Sequence, residues 1–127
     1  LGSILKAKNI NLNSNDSIFF YLDAHSIDDY PLIEEITLVL NNFKNFIMVI
    51  DDFQVPNDEG YGYDSHQGKK LNIQFIQKLL SKKEYIFFPN INSSEETGRL
   101  RGYALITNNI EFKNVLQMIE GLSLFKF

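Results

Sequence analysis

Two short runs of consecutive apolar residues punctuate the first half of the chain, and each is stopped by aspartate. Ile18-Phe19-Phe20-Tyr21-Leu22 ends at Asp23, and Phe46-Ile47-Met48-Val49-Ile50 ends at Asp51-Asp52. Apolarity without alternation reads as a strand covered on both faces, the mark of a parallel sheet. Between the runs, Leu32, Ile36, Val39, Leu40 and Phe43 recur at helical spacing behind Pro31. Proline is tolerated at the first helical position, because its missing N–H would have no partner there. Strand, helix and strand within this span predict a βαβ unit with parallel strands and a right-handed crossover.

Beyond Asp52 the stretch 53–70, rich in Gly, Asp, Tyr and Asn, reads as a loop, long enough to be functional or mobile. Leu71, Phe75, Ile76, Leu79 and Leu80 then predict an amphipathic helix, and Tyr85-Ile86-Phe87-Phe88 a third strand closed by Pro89. A polar loop over 90–101 leads to a fourth strand, Gly102 to Thr107. No helical pattern separates these last two strands, so they pair antiparallel in the simplest arrangement. A terminal helix is expected over about 111–119, and a short one over Leu1 to Ile10 ahead of the polar loop 11–17. The fold expectation is an α/β Rossmann-like mixed sheet, with three parallel strands, one antiparallel C-terminal strand and helices on both faces. It forms a single partial domain over 1–127, with its core in 18–107.

Composition narrows the partners. The net charge of -4 and the scattering of twelve Lys and Arg residues leave no concentrated basic face for nucleic acid. The chain has no Cys, which excludes disulfides and thiolate metal sites and favours a reducing compartment. No apolar run approaches the ~20 residues that span a bilayer. The N-terminus lacks the basic, apolar and small-residue order of a signal peptide, so the expectation is a cytoplasmic protein.

The element order, together with Phe20-Tyr21-Leu22-Asp23-Ala24-His25, Val49-Ile50-Asp51-Asp52-Phe53 and Gly60-Tyr61-Gly62-Tyr63-Asp64, resembles the second half of class I S-adenosylmethionine-dependent methyltransferases. In that fold the last strand is inserted antiparallel in an otherwise parallel sheet. The flavour is that of the metal-assisted catechol and macrocin O-methyltransferases, whose acidic residues follow the fourth and fifth strands. The resemblance covers about residues 18–107, and the glycine-rich cofactor loop of the family has no counterpart here. It implies the C-terminal half of a methyltransferase, a fragment that is inactive alone. When complete, it would transfer methyl from S-adenosylmethionine to a small hydroxylated acceptor.

The candidate chemistry follows the strand ends. Asp23, Asp51 and Asp52 should converge in the crevice outside the carboxyl ends of adjacent strands, where open α/β sheets bind ligands. Three carboxylates there would repel one another unless a hard divalent cation of the Mg²⁺ or Ca²⁺ type neutralised them. The resemblance also implies that Asp23 is the cofactor-binding residue. The plainer reading is that these aspartates cap turns and face water. His25, two residues past Asp23, is a candidate catalytic base or is simply exposed. His66 has less support. Tyr61, Tyr63 and Asp64, set among glycines, read either as a substrate-facing lid or as a surface loop with one tyrosine packed inward. Asp28, Asp29, Glu34 and Glu35 read as favourable charges near a helix N-terminus, and Gly98-Arg99-Leu100-Arg101-Gly102 as hairpin chemistry. Alternatives to the methyltransferase are a non-catalytic Rossmann-like binding domain and a sugar-modifying enzyme on the same half-fold. Half a sheet would leave the edge at Ile18 to Leu22 open, to be covered by another copy or by a missing segment.

Overall fold

The computed structural model describes residues 15–23 and 31–127. The expected N-terminal helix, His25, Asp28 and Asp29 lie outside them. Strand β1 (Ser17–Leu22) is followed by helix α1 (Leu32–Asn42) and strand β2 (Asn45–Asp51). A small hairpin comes next, β3 (Ser65–His66) with β4 (Lys69–Lys70), then a single helical turn α2 (Ile73–Ile76) tightening into a 3₁₀ turn at Gln77–Leu79. Strand β5 (Tyr85–Pro89), a 3₁₀ turn at Ser93–Glu95, strand β6 (Tyr103–Thr107), helix α3 (Ile110–Gln117) and strand β7 (Leu122–Leu124) complete it.

Five strands form one mixed sheet in the order β1-β2-β6-β5-β7. β1 and β2 are parallel, with Ser17 opposite Asn45 and Leu22 opposite Ile50. Every other pairing in this sheet is antiparallel: β2 with β6, β6 with β5, and β5 with β7. The expected directions form, with β1, β2 and β5 pointing one way and β6 the other, but only one parallel pair is hydrogen-bonded, so a Rossmann-like arrangement of three adjacent parallel strands is not shown. β5 points the same way as β1 and β2 but touches neither, because β6 is inserted between β2 and β5. The cause is the connection: with no helix to carry the chain over the sheet, β6 returns directly alongside β5.

The second correction concerns the faces. Phe20, Leu22, Phe46, Met48 and Ile50 are buried, and they share one core with Leu32, Ile36 and Val39 of α1 and with Ile73 and Ile76 of α2. The residues between them on β1 are not covered: Phe19 is 63% exposed and Tyr21 57%. Helices cover one face of this edge strand and leave the other open. An unbroken apolar run reports a strand's preferences but not what packs on each side of it.

Local chemistry explains the element limits. Asn72 caps α2 by accepting from the Phe75 N–H at 3.0 Å, but the backbone is already extended at Leu80, so the expected helix through Leu80 shrinks to one α turn and one 3₁₀ turn. Asn109 caps α3 by accepting from the N–H groups of Glu111 and Phe112. The β3–β4 hairpin and β7 have no counterpart in the sequence reading, being too short for any periodicity to show. No described helix is long and apolar enough to cross a membrane.

Candidate functional site

The parallel register puts the ends of β1 and β2 side by side. Leu22 is opposite Ile50, so the next residues, Asp23 and Asp51, leave the sheet together. Asp23, Asp51 and Asp52 each bring one carboxylate oxygen within 4.8 Å of the other two. Asp23 is exposed, Asp51 half-buried and Asp52 buried.

Each carboxylate has a different environment. Asp51 Oδ2 accepts a 2.5 Å hydrogen bond from the Tyr21 hydroxyl, and its Oδ1 accepts from the Asp52 backbone N–H at 2.9 Å. The Tyr21 phenol is pushed up to about 12, first by that hydrogen bond, then by burial and by the charges of Asp51, Asp23 and Asp52. Tyr21 thus remains a donor throughout the ordinary pH range and holds Asp51 in one orientation.

Asp52 sits at φ 53°, in the left-handed region that aspartate tolerates better than most side chains. That turn aims its carboxylate at Arg101, whose Nε donates to Asp52 Oδ1 while its Nη2 donates to Asp64 Oδ1. The guanidinium pKa is raised, chiefly by the hydrogen bond to Asp52, with burial opposing and Asp64 assisting. Backbone bonds hold the same three segments together. The Asp64 N–H donates to the Asp52 carbonyl at 2.8 Å, and the Phe53 N–H to the Gly102 carbonyl at 3.0 Å. The close approach needs glycine at 102, where a Cβ would stand 2.1 Å from the Phe53 carbonyl oxygen.

The loop 53–70 is tied down along its length. Tyr61 is buried in the core, its hydroxyl donating to the Ile91 carbonyl at 2.9 Å, and burial is the main cause of its raised pKa. Asp58 accepts from the Ser93 hydroxyl at 2.5 Å and the Ser93 N–H at 2.9 Å, which lowers its pKa. Tyr63 lies half-buried with the Lys70 ammonium 5.7 Å from its ring centre. Of the residues read as a lid, Tyr61 is packed inward and Asp64 is engaged by Arg101. His66 is placed in the β3–β4 hairpin, paired in register with Lys69.

Two residues of this site were not singled out from the sequence. Tyr21 reads in the sequence as part of an apolar strand, although a tyrosine two residues before an acidic strand end puts a donor on the same side of the sheet as the outgoing carboxylate. Arg101 reads in the sequence as part of a turn. Its only signal was a cation between a leucine and a glycine, with nothing local to name its partners.

Chemically, the oxygen-only donor set suits a hard cation better than a soft one. Asp23, Asp51 and Asp52 could together hold one, and Asp52 also shares its charge with Arg101. Beside Asp51 a groove of about 440 Å³ opens over the uncovered sheet face, lined by Phe19, Tyr21, Val49, Tyr103 and Leu105 among others. No protein-family model, curated protein or solved structure matches the chain.

Proposed function

We propose that this chain is the acceptor-side part of a metal-assisted methyltransferase, which moves a methyl group from S-adenosylmethionine to a hydroxyl of a small acceptor. The observation that carries this reading is the gathering of Asp23, Asp51 and Asp52 at the ends of two adjacent parallel strands. The insertion of β6 between β2 and β5 supports it, because the resemblance implies that the strand near 102–107 is inserted antiparallel.

In this reading Asp23, Asp51 and Asp52 hold the cation, Tyr21 fixes the orientation of Asp51, and Arg101 fixes that of Asp52. A bound divalent cation would supply the site with a means of orienting acceptor oxygens and lowering a hydroxyl pKa. His25 remains the proposed base. S-adenosylmethionine would be held mainly by residues outside these 127, since the family's glycine-rich loop has no counterpart among them.

A second reading has its own support. Asp51 accepts the N–H of the next residue, and Asp52 is neutralised by an arginine, so both also serve as local turn and ion-pair groups. On that reading the domain binds a partner without catalysis.

Calorimetric titration with Mg²⁺, Mn²⁺ and Ca²⁺ separates the two. The methyltransferase reading expects saturable heat from wild type, weakened at least about tenfold in Asp51→Asn, since a hard cation loses a charged ligand. It expects S-adenosylmethionine to bind these residues alone no tighter than about millimolar. Equal heats for both proteins, or none, would discard the cation.

A further inference from the structure

A cleft of about 310 Å³ lies between the start of the loop that follows β2 and the turn that opens α2, with Phe125 of the C-terminal segment also lining it. That volume is at the small end of the range for ligand pockets. Its polar lining is four carboxamides, Gln54, Asn57, Asn72 and Gln74, with one carboxylate, Glu59, and among the described residues no cation lines it. Local structure fixes which way two of these amides point. Asn72 Oδ1 accepts the Phe75 N–H at 3.0 Å, as the cap of α2. Its Nδ2 must then face the other way, and it donates to Gln54 Oε1 at 3.2 Å. With its oxygen so committed, Gln54 turns Nε2 away from Asn72, and among the described hydrogen bonds none uses those two N–H groups. Phe125, half-buried, is held by edge-on contacts with Phe88 and Phe127, at 5.6 and 5.1 Å between centroids.

We propose that this cleft binds a neutral, polyhydroxylated ligand of the size of one monosaccharide unit. A carboxamide both donates and accepts, as a hydroxyl does, so a set of amides matches a ring of hydroxyls. Glu59 adds a charged acceptor for a hydroxyl proton. The Phe125 ring offers an apolar surface to the C–H side of a sugar ring. Without a cation the cleft has nothing to neutralise a phosphate or carboxylate, and one exposed carboxylate holds a cation only weakly. Each hydrogen bond replaces one made to water, so the affinity expected is modest, about 1–10 mM. The cleft shares no residue with the carboxylate cluster, so the inference stands or falls separately from the cation.

The test uses the whole chain, isotope-labelled for NMR, titrated with methyl glucoside, methyl galactoside and methyl N-acetylglucosaminide. Inorganic phosphate and a blocked alanine dipeptide are titrated separately, as an anion and as a carrier of backbone amides. At least one of the sugars should saturably shift the side-chain amide signals of Gln54 and Asn72, and neither phosphate nor the dipeptide should. Gln54→Glu keeps the oxygen to which Asn72 donates and removes the outward N–H pair. It should weaken that sugar at least about fivefold while the backbone spectrum stays dispersed. Gln74→Ala, at an exposed position, should weaken it at least about twofold with the fold intact. Shifts from none of the sugars, or shifts centred elsewhere, would overturn the proposal. So would unchanged affinity in either variant, or shifts of equal size from phosphate or the dipeptide.

Discussion

Phe19 and Phe20 are consecutive phenylalanines in one strand, yet one is 63% exposed and the other 7%. Phe20 meets the Phe43 ring at 5.1 Å between centroids and joins the core under α1. Phe19 stands over a groove shared with Tyr21 and Tyr103. The two faces of β1 have similar composition and different energetics. On the covered face, apolar side chains are removed from water, and most of the stabilisation is there. On the open face of β1 the same residue types remain available, and a fixed polar contact, Tyr21 to Asp51, positions a carboxylate.

The sharpest break of this comparison is a pair of truncations. Phe46→Ala, on the covered face and fully buried, should cost about 3–5 kcal/mol by removing a large ring and leaving a cavity. Phe19→Ala should stay within about 0.5 kcal/mol of wild type, as for exposed sites with no special role. Urea denaturation midpoints measure both. A large loss from Phe19→Ala would mean that the open face is covered after all.

A smaller effect is expected where the two faces meet the loops. Arg101→Gln removes the cation shared by Asp52 and Asp64 and leaves a buried carboxylate without it. Breaking such a pair costs several kcal/mol in full burial, but here the side chains are partly exposed, so about 1–2 kcal/mol is expected. Arg101→Lys should recover only part of that, because an ammonium cannot reproduce the two-armed contact.

The smallest effect is a titration. Tyr21 should ionise near 12, and in Asp51→Asn its midpoint should fall back toward 10. The difference in ultraviolet absorbance between each protein and its Tyr21→Phe counterpart isolates that one phenol. Because the folded pKa is raised, the stability contributed by the contact is complete below about pH 10 and is lost as pH climbs through about 12. An unchanged midpoint in Asp51→Asn would assign the shift to burial instead of to the carboxylate.

Much of the site was legible because it lies where local signals are strong. Two apolar runs with a helical pattern between them define β1, α1 and β2, and aspartates immediately after both runs sit at the same edge once the strands are parallel. The antiparallel pairing of β5 and β6 followed from their helix-free connection. Arg101 could not be assigned its role in this way. It lies 49 residues from Asp52 and 37 from Asp64, and no local pattern encodes a contact over that separation.

The sequence by itself determined that β1, α1, β2, β5, β6 and α3 form, and that carboxylates follow the first two strands. Those are short-range matters of periodicity, caps and breakers, in which a residue's neighbours along the chain supply most of the energy. Only the tertiary structure decided that β6 enters between β2 and β5, that one face of β1 is left uncovered, that Tyr61 is core, and that Arg101 binds Asp52 and Asp64. Each of these depends on which distant surfaces meet, and burial and ion pairing take their strength from that meeting.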